Sequence, residues 1–394
     1  MTSRDVFHRH EYAEDMARQL LQPSSLQLQV RSGVFLSGIR RIGKTTFLRQ
    51  DLIPTLEAMG ALVIYVDLWA DRSKSTASLV QEAVQDTLTQ LTTSGSRLLD
   101  RFKGLNMGAG GFSFGFQLDI VGKKGGATLA QAFTELVDKV QTSVVLIVDE
   151  VQQALGSEEG SHLMFALKAA RDAVNTRPQT PGHLLIVGTG SHKSLVTDMA
   201  TRRSQPFSGA VSAPYEPLGR DFVQWKWQQL QALQGVKLPS EPVMWEGFLT
   251  MGQRPEELQN ALVQLQSRTE SPDLAFSIIC ATLASAAADV EIAAVEELGT
   301  LATTIFGRIA QGGVGGAWGL FAAEAMAGYA DSIGSVVDTP QVQNMLDRMI
   351  TANLIMRQSH GVYAVADPFV RQVWLQRAAL EAVFQTSAAT TPGK

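Results

Sequence analysis

The run Ser37-Gly38-Ile39-Arg40-Arg41-Ile42-Gly43-Lys44-Thr45-Thr46 fits the spacing G-x-x-x-x-G-K-[ST]. That spacing describes a loop that cradles phosphates. Glycines at positions such as Gly38 and Gly43 let the backbone curl until successive N–H groups face one point. A helix beginning there adds the partial positive charge of its N-terminus. Lys44 can reach β- and γ-phosphate oxygens, and Thr45 can hold Mg²⁺. The whole stretch Gly38, Ile39, Arg40, Arg41, Ile42, Gly43, Lys44, Thr45 and Thr46 is therefore the expected phosphate-binding segment. A second run, Ser143-Val144-Val145-Leu146-Ile147-Val148-Asp149-Glu150, is apolar and ends in two acids. Such a run reads as a strand buried on both faces. Its acids then sit at the carboxyl edge, where open parallel sheets bind ligands. Asp149 is expected to hold Mg²⁺ and Glu150 to polarise the water that attacks a γ-phosphate. The next candidate lies at the end of His183-Leu184-Leu185-Ile186-Val187-Gly188. There Thr189 or Ser191 either contacts the γ-phosphate and water or forms a simple polar turn.

These groups need elements to position them. Val34-Phe35-Leu36 before the loop reads as a strand, and Thr46 to Ile53 after it as a helix. Residues 1–30 read as an amphipathic helix leading into that strand. Ala61 to Leu68 reads as a further buried strand, and Ser75–Leu91, Leu129–Val140 and Ser161–Val174 as helices. Strands alternating with helices from about 31 to 215 predict an α/β core with a covered parallel sheet. The segment 104–126 breaks the rhythm, with Phe112, Phe114 and Phe116 alternating between glycines. It reads either as an edge hairpin packing its phenylalanines or as a loop that touches a partner or a pore. From Gly219 the pattern is helical, over Asp221–Leu233, Val243–Met251, Pro255–Gln266 and Leu274–Glu297. Helices near Leu298–Ile309, Trp318–Tyr329 and Thr339–Ala352 precede two short strands, Leu354–Arg357 and Val362–Val365. Three helices and a hairpin describe a winged helix. The expected division is a P-loop core at 1–217, a helical subdomain at 218–296, a winged-helix domain at 297–385 and a disordered tail at 386–394.

The chain has 394 residues, of which 45% are apolar and 18% charged, with a formal net charge of −5. That is enough apolar content to fill cores for two or three domains. It is not the balance of a strongly basic nucleic-acid binder. A single cysteine, Cys280, excludes an intrachain disulfide and a cysteine-based zinc site and reads as a small core residue. The polar start Met1-Thr2-Ser3-Arg4-Asp5 lacks an apolar leader. The longest apolar run, Leu274 to Ala288 between Asp273 and Asp289, is read as too short to span a bilayer. A cytoplasmic protein without membrane contact is the resulting expectation. His8 and His10 are close together but have no third ligand in the sequence, and they read as an exposed helix start. There is no H-E-x-x-H spacing and no serine-hydrolase signature.

Taken together, these residues resemble the archaeal-type ATPases, a branch of P-loop proteins near the AAA+ and STAND groups. The resemblance covers most of the chain. Gly38-Ile39-Arg40-Arg41-Ile42-Gly43-Lys44-Thr45 is similar to that family's G-x-R-R-x-G-K-T loop, and Val145 to Gln152 to its acid-pair strand. Met251-Gly252-Gln253-Arg254-Pro255 stands where relatives carry a Gly-x-x-Pro or sensor-2-like motif. Tyr363-Ala364-Val365-Ala366-Asp367-Pro368-Phe369 is similar to the Asp-Pro ending of their winged helix. Related proteins often begin with Phe-x-Gly-Arg-Glu near the adenine. Phe7-His8-Arg9-His10-Glu11 lacks that glycine, so the resemblance carries no adenine contacts to this segment. It implies ATP with Mg²⁺ as ligands, ATP rather than GTP, and assembly in which one subunit's arginine reaches its neighbour's γ-phosphate. Arg202 and Arg203 are the candidates, unless they form a solvated basic turn. Arg254 would then report the nucleotide to the helical subdomain.

The function expected is Mg²⁺-dependent ATP hydrolysis that switches conformation or oligomeric assembly, with a homo-oligomer and a protein partner. Two other classes remain open. One is a nucleotide-gated adaptor with little turnover. The other is a DNA-associated ATPase of a mobile-element or defence system. Across Thr339 to Ala352 the only charges are Asp347 and Arg348. DNA contacts need several Lys or Arg, so protein contact is favoured, with Arg357 and His360 adding little on the wing.

Overall fold

The computed structural model describes residues 6–93, 96–102, 127–155, 157–313, 315–359 and 361–389. The Phe112–Phe116 segment lies outside them. Contacts divide the chain into two units, Met1–Gly38 with Lys44–Glu216, and Ile39–Gly43 with Pro217–Lys394.

The first unit opens with α1 (His10–Leu21), then β1 (Val34–Ser37). α2 (Lys44–Phe47) continues through a π-turn, Leu48–Leu52, into α3 (Ile53–Ala58). Pro54 explains the π-turn. It has no N–H to give to the preceding turn, and its ring crowds the carbonyl there, so the helix widens. β2 (Leu62–Asp67), α4 (Thr76–Thr92), α5 (Arg97–Phe102) and α6 (Leu129–Val140) follow. The unit ends with β3 (Val144–Asp149), α7 (Gln152–Leu155), α8 (Glu158–Asn175), β4 (Leu184–Gly190), α9 (Lys193–Thr201) and β5 (Val211–Pro214). Side-chain caps start several of these helices. Ser75 accepts from the Ser78 amide, and Thr128 with Gln131 forms a capping box.

All five strands are parallel, in the order β2-β3-β4-β1-β5. β3 is buried along its whole length, as its unbroken apolar run requires. Phe133, Leu136, Leu146, Val148, Leu163 and Leu167 belong to one core that covers the sheet. Each such side chain removed from water contributes about 1.5–3 kcal/mol. Because β4 lies between β1 and β3, its tip falls between the end of β1 and the acid pair. β5 and α9 were not expected as separate elements. β5 is short, only half-buried and ends in proline, so it carries no strand periodicity.

The second unit contains α10 (Arg220–Gln231), α11 (Glu241–Thr250), α12 (Pro255–Leu265), α13 (Pro272–Glu297), α14 (Thr300–Gln311), α15 (Ala323–Ile333) and α16 (Thr339–Thr351). The antiparallel pair β6 (Ile355–Ser359) and β7 (Val362–Val365) comes next, then α17 (Pro368–Ala389). α17 runs past 386, where a tail was expected; residues 390–394 lie outside the described set. α13 has 26 residues and, among the described residues, is the one helix long and apolar enough to cross a membrane by length and composition. This corrects the reading of a run too short to span. The helix carries Asp289 within it, ion-paired to Arg377, so the charge does not mark its end. Phe276, Ile279, Cys280, Ile292 and Val295 of α13 are buried, and the helix packs against α11, α12, α14 and α17. Burial pushes the Cys280 thiol up to about 12, as suits an inert core residue.

Glu291 on α13 carries a pH-dependent term. Burial, aided by the charge of Asp367, pushes its carboxyl up to about 7, against the pull of Arg254 and Arg40. The ordinary value is 4.5. Between those two values the folded chain keeps a proton that the unfolded chain has released. Stability therefore falls as pH rises through this window and stays lower above it. Glu291→Gln is expected to raise the melting temperature by about 2–8 °C at pH 8 and to leave it unchanged at pH 4.5. Thermal melts at the two pH values check this; an equal shift at both would refute it.

Candidate active site

The loop after β1 turns left-handed at Arg41 (φ 65°) and Gly43 (φ 93°). Of the two motif glycines, Gly43 is the one that needs this freedom. Gly38 is not in that region. Its amide donates to the Gly190 carbonyl (3.1 Å), and its own carbonyl accepts from Lys44 Nζ (2.7 Å). Lys44 is buried, so its ammonium is delivered to the loop rather than to solvent. Thr45 follows on the first turn of α2, and Thr46 beside it is exposed.

Asp149 is fully buried at the end of β3 and accepts four hydrogen bonds. Oδ2 takes Thr45 Oγ1 at 2.6 Å and Tyr65 Oη at 3.0 Å. Oδ1 takes Thr189 Oγ1 and the Glu150 amide, the latter at 3.1 Å. The parallel register puts Asp67 of β2 level with Asp149. Burial raises the Asp67 pKa, the Trp69 amide opposes that, and the charges of Asp149 and Glu150 add to the rise. Three acids crowd one sheet edge. Thr45 and Asp149 meet there and could hold a divalent cation through hydroxyl and carboxylate oxygens.

Glu150 adopts a left-handed backbone (φ 56°), unusual for a residue with a long side chain. That turn lifts its carboxylate off the strand end. Ser191 Oγ donates to Glu150 Oε2 at 3.1 Å, and Gln152 Nε2 donates to the same oxygen. Gln152 Nε2 also donates to Ser191 Oγ at 3.1 Å. Gln152 Oε1 is buried without a hydrogen-bond partner. A Cβ at Gly190 would come within 2.5 Å of that oxygen and of a Val196 methyl carbon, so a side chain there would have to push the amide aside. The tip of β4 thus supplies both residues named from the sequence. Thr189 bonds Asp149, and Ser191 bonds Glu150.

Two residues of this cluster were missed. Gln152, two positions beyond the acid pair, closes the run quoted for the acid-pair strand but was given no role there. Tyr65 looks like any aromatic strand residue. Its hydroxyl pKa is raised, first by burial and then by the charge of Asp149. The Arg49 guanidinium lies 4.6 Å from the Tyr65 ring centroid.

Arg202 is exposed at the end of α9 and pairs with Asp198 at 2.8 Å; Arg203 is exposed beside it. Ile39, Arg40, Arg41, Ile42 and Arg254 belong to the second unit. There Arg41 pairs with Glu257 (3.3 Å) and Glu256 (3.6 Å) at the start of α12, while Arg40 is exposed and Ile42 buried. Arg254 is buried, ion-paired to Asp367 and 4.9 Å from the Phe369 ring centroid. The sensor-2-like arginine and the Asp-Pro ending are therefore partners of one another.

Comparison with known proteins agrees with this geometry. The chain shares its fold with the Walker-type ATPase PABY2304 of Pyrococcus abyssi, at 19% identity and a TM-score of 0.57, with 94% of this chain and 96% of that one covered. It is similarly close to the ORC2 protein of Aeropyrum pernix in its ADP form, at 14% identity and a TM-score of 0.56, with 96% and 95% covered. None of the curated proteins matches this chain in sequence. Residues 24–236, more than half of the chain, match the family described as the ATPase domain predominantly from Archaea. The chain belongs to that family, and with a P-loop and an acid pair on a parallel five-stranded sheet it is an ATP-binding ATPase.

Proposed function

We propose that this chain is a Mg²⁺-dependent ATPase whose hydrolysis cycle switches its conformation or its assembly with further copies. The observation that carries the reading is the 2.6 Å hydrogen bond between Thr45 and Asp149. It brings the loop hydroxyl and the strand-end carboxylate to one point, with Glu150 on the next residue. Lys44 and the loop amides bind the β- and γ-phosphates. Thr45 and Asp149 would hold Mg²⁺, which when bound neutralises charge on the phosphate oxygens. Glu150 takes a proton from water as the water oxygen bonds to the γ-phosphorus and the bridging P–O bond breaks, releasing ADP. Ser191 and Gln152 keep the Glu150 carboxylate in place, and Thr189 keeps Asp149 in place. Arg202 and Arg203, exposed just after α9, are offered to the active site of another copy.

A second reading is favoured by one feature. Both Gln152 and Ser191 donate to the same oxygen of Glu150. A carboxylate held in this way is kept from turning toward an attacking water, which suits an adaptor that binds nucleotide tightly and turns it over slowly. The helices α14, α15 and α16 with the β6–β7 hairpin support a winged-helix reading of the C-terminal part. With Asp347 and Arg348 as the only charged side chains on α16, that part suits a protein surface better than a DNA backbone.

The test is ATP hydrolysis measured against protein concentration, with and without DNA, using Lys44→Ala as the blank. Specific activity that climbs with concentration supports a site shared between copies, and Arg202→Ala and Arg203→Ala should then flatten the curve. Flat, low activity with nucleotide still bound favours the adaptor. Stimulation by DNA that fades steeply with salt would overturn the protein-contact reading of the C-terminal part.

A further inference from the structure

The structure supplies the third ligand that His8 and His10 lack in sequence. Asp51 lies in the π-turn Leu48–Leu52 and is 2% exposed. Its Oδ1 is 2.7 Å from His8 Nδ1 and 4.0 Å from His10 Nδ1. Its other oxygen accepts the Arg9 amide at 3.2 Å, which fixes the carboxylate's orientation. The two imidazole rings stack at 4.9 Å, 7° from parallel. One donor atom from each residue lies within 4.8 Å of the others.

We propose that His8, His10 and Asp51 form a binding site for a divalent transition-metal ion of the Zn²⁺ type. Nitrogen and carboxylate ligands sit about 2.0–2.2 Å from zinc, so donors around a tetrahedral ion are about 3.3–3.4 Å apart. Opening the 2.7 Å contact and closing the 4.0 Å contact each takes about 0.7 Å or less, and bringing the two histidine donors together takes at most about 1.5 Å with a turn of one ring out of the stack, a rotation open to the exposed His10. Two imidazoles and one carboxylate suit a borderline ion better than Mg²⁺ or Ca²⁺, which take oxygen ligands. Three protein ligands leave a coordination position open to water or an outside donor. The ion would tie the start of α1 to the helix that opens with Lys44 and Thr45. This site is separate from the Thr45–Asp149 position, which uses oxygen ligands.

The test is Co²⁺ titration of the untagged full chain, followed by visible absorption, with a large excess of Mg²⁺ to occupy the oxygen-ligand site. One equivalent of Co²⁺ should develop the d–d bands of a four- or five-coordinate histidine-ligated ion, and Zn²⁺ should displace it. His10→Ala and His8→Ala should each weaken uptake by about 10-fold or more, since even loss of a ligand's outer partner costs 10- to 100-fold. His10 is exposed, so metal-free His10→Ala should melt like the parent chain; Asp51 is left intact because its burial makes it a folding risk. Absence of stoichiometric bands, or uptake unchanged in both histidine variants, would overturn the site.

Discussion

Glu150→Gln is expected to lower ATP turnover by about 100-fold or more while ATP stays bound. Glutamine keeps the size and the hydrogen-bonding reach of the side chain but cannot take a proton from water. Asp149, Thr45 and Lys44 are untouched, so the contacts to phosphate and cation survive. The loss should therefore appear in kcat and not in nucleotide affinity, the mark of an interaction made only at the transition state. Steady-state phosphate release, together with retention of labelled ATP on gel filtration, reads both quantities. Turnover within a few-fold of the parent would remove Glu150 from the chemistry and leave the adaptor reading in command.

Lys44→Ala should fail earlier, at binding. The buried ammonium of Lys44 donates to the Gly38 carbonyl, and phosphate oxygens are the stronger acceptors for it. A hydrogen bond to a charged group contributes about 1.5–3 kcal/mol, so its loss should weaken nucleotide binding by about 10- to 100-fold. Hydrolysis should fall with it. Equilibrium titration with a fluorescent ATP analogue checks the affinity. Unchanged affinity would mean that the loop amides alone hold the phosphates. The two variants differ in kind, since one keeps ATP without consuming it and the other loses it.

What is local was legible in the sequence. Gly38 to Thr45 lies between a strand and a helix, and Asp149 with Glu150 closes an apolar run, so spacing alone located both segments. Thr189 and Ser191 could be named as candidates because a strand ending in polar residues is also a local signal. Gln152, Tyr65 and the His8–His10–Asp51 cluster escaped because their meaning is a meeting across the fold. His8 and Asp51 are 43 positions apart, and only the π-turn brings them together. Contacts place 217–394, with Ile39–Gly43, in one unit. Arg254 and Asp367, 113 positions apart, pair inside it, and no periodicity could announce that.

The left-handed backbone at Glu150 sets activity against stability. Holding a long side chain at φ 56° costs on the order of 1 kcal/mol, and the rest of the fold must absorb it. Glycine would relax that position at once. The residue proposed as general base thus occupies a place where stability alone would favour a residue with no side chain. A chain that had ceased to hydrolyse ATP and kept only its binding role would be free to drift toward glycine there.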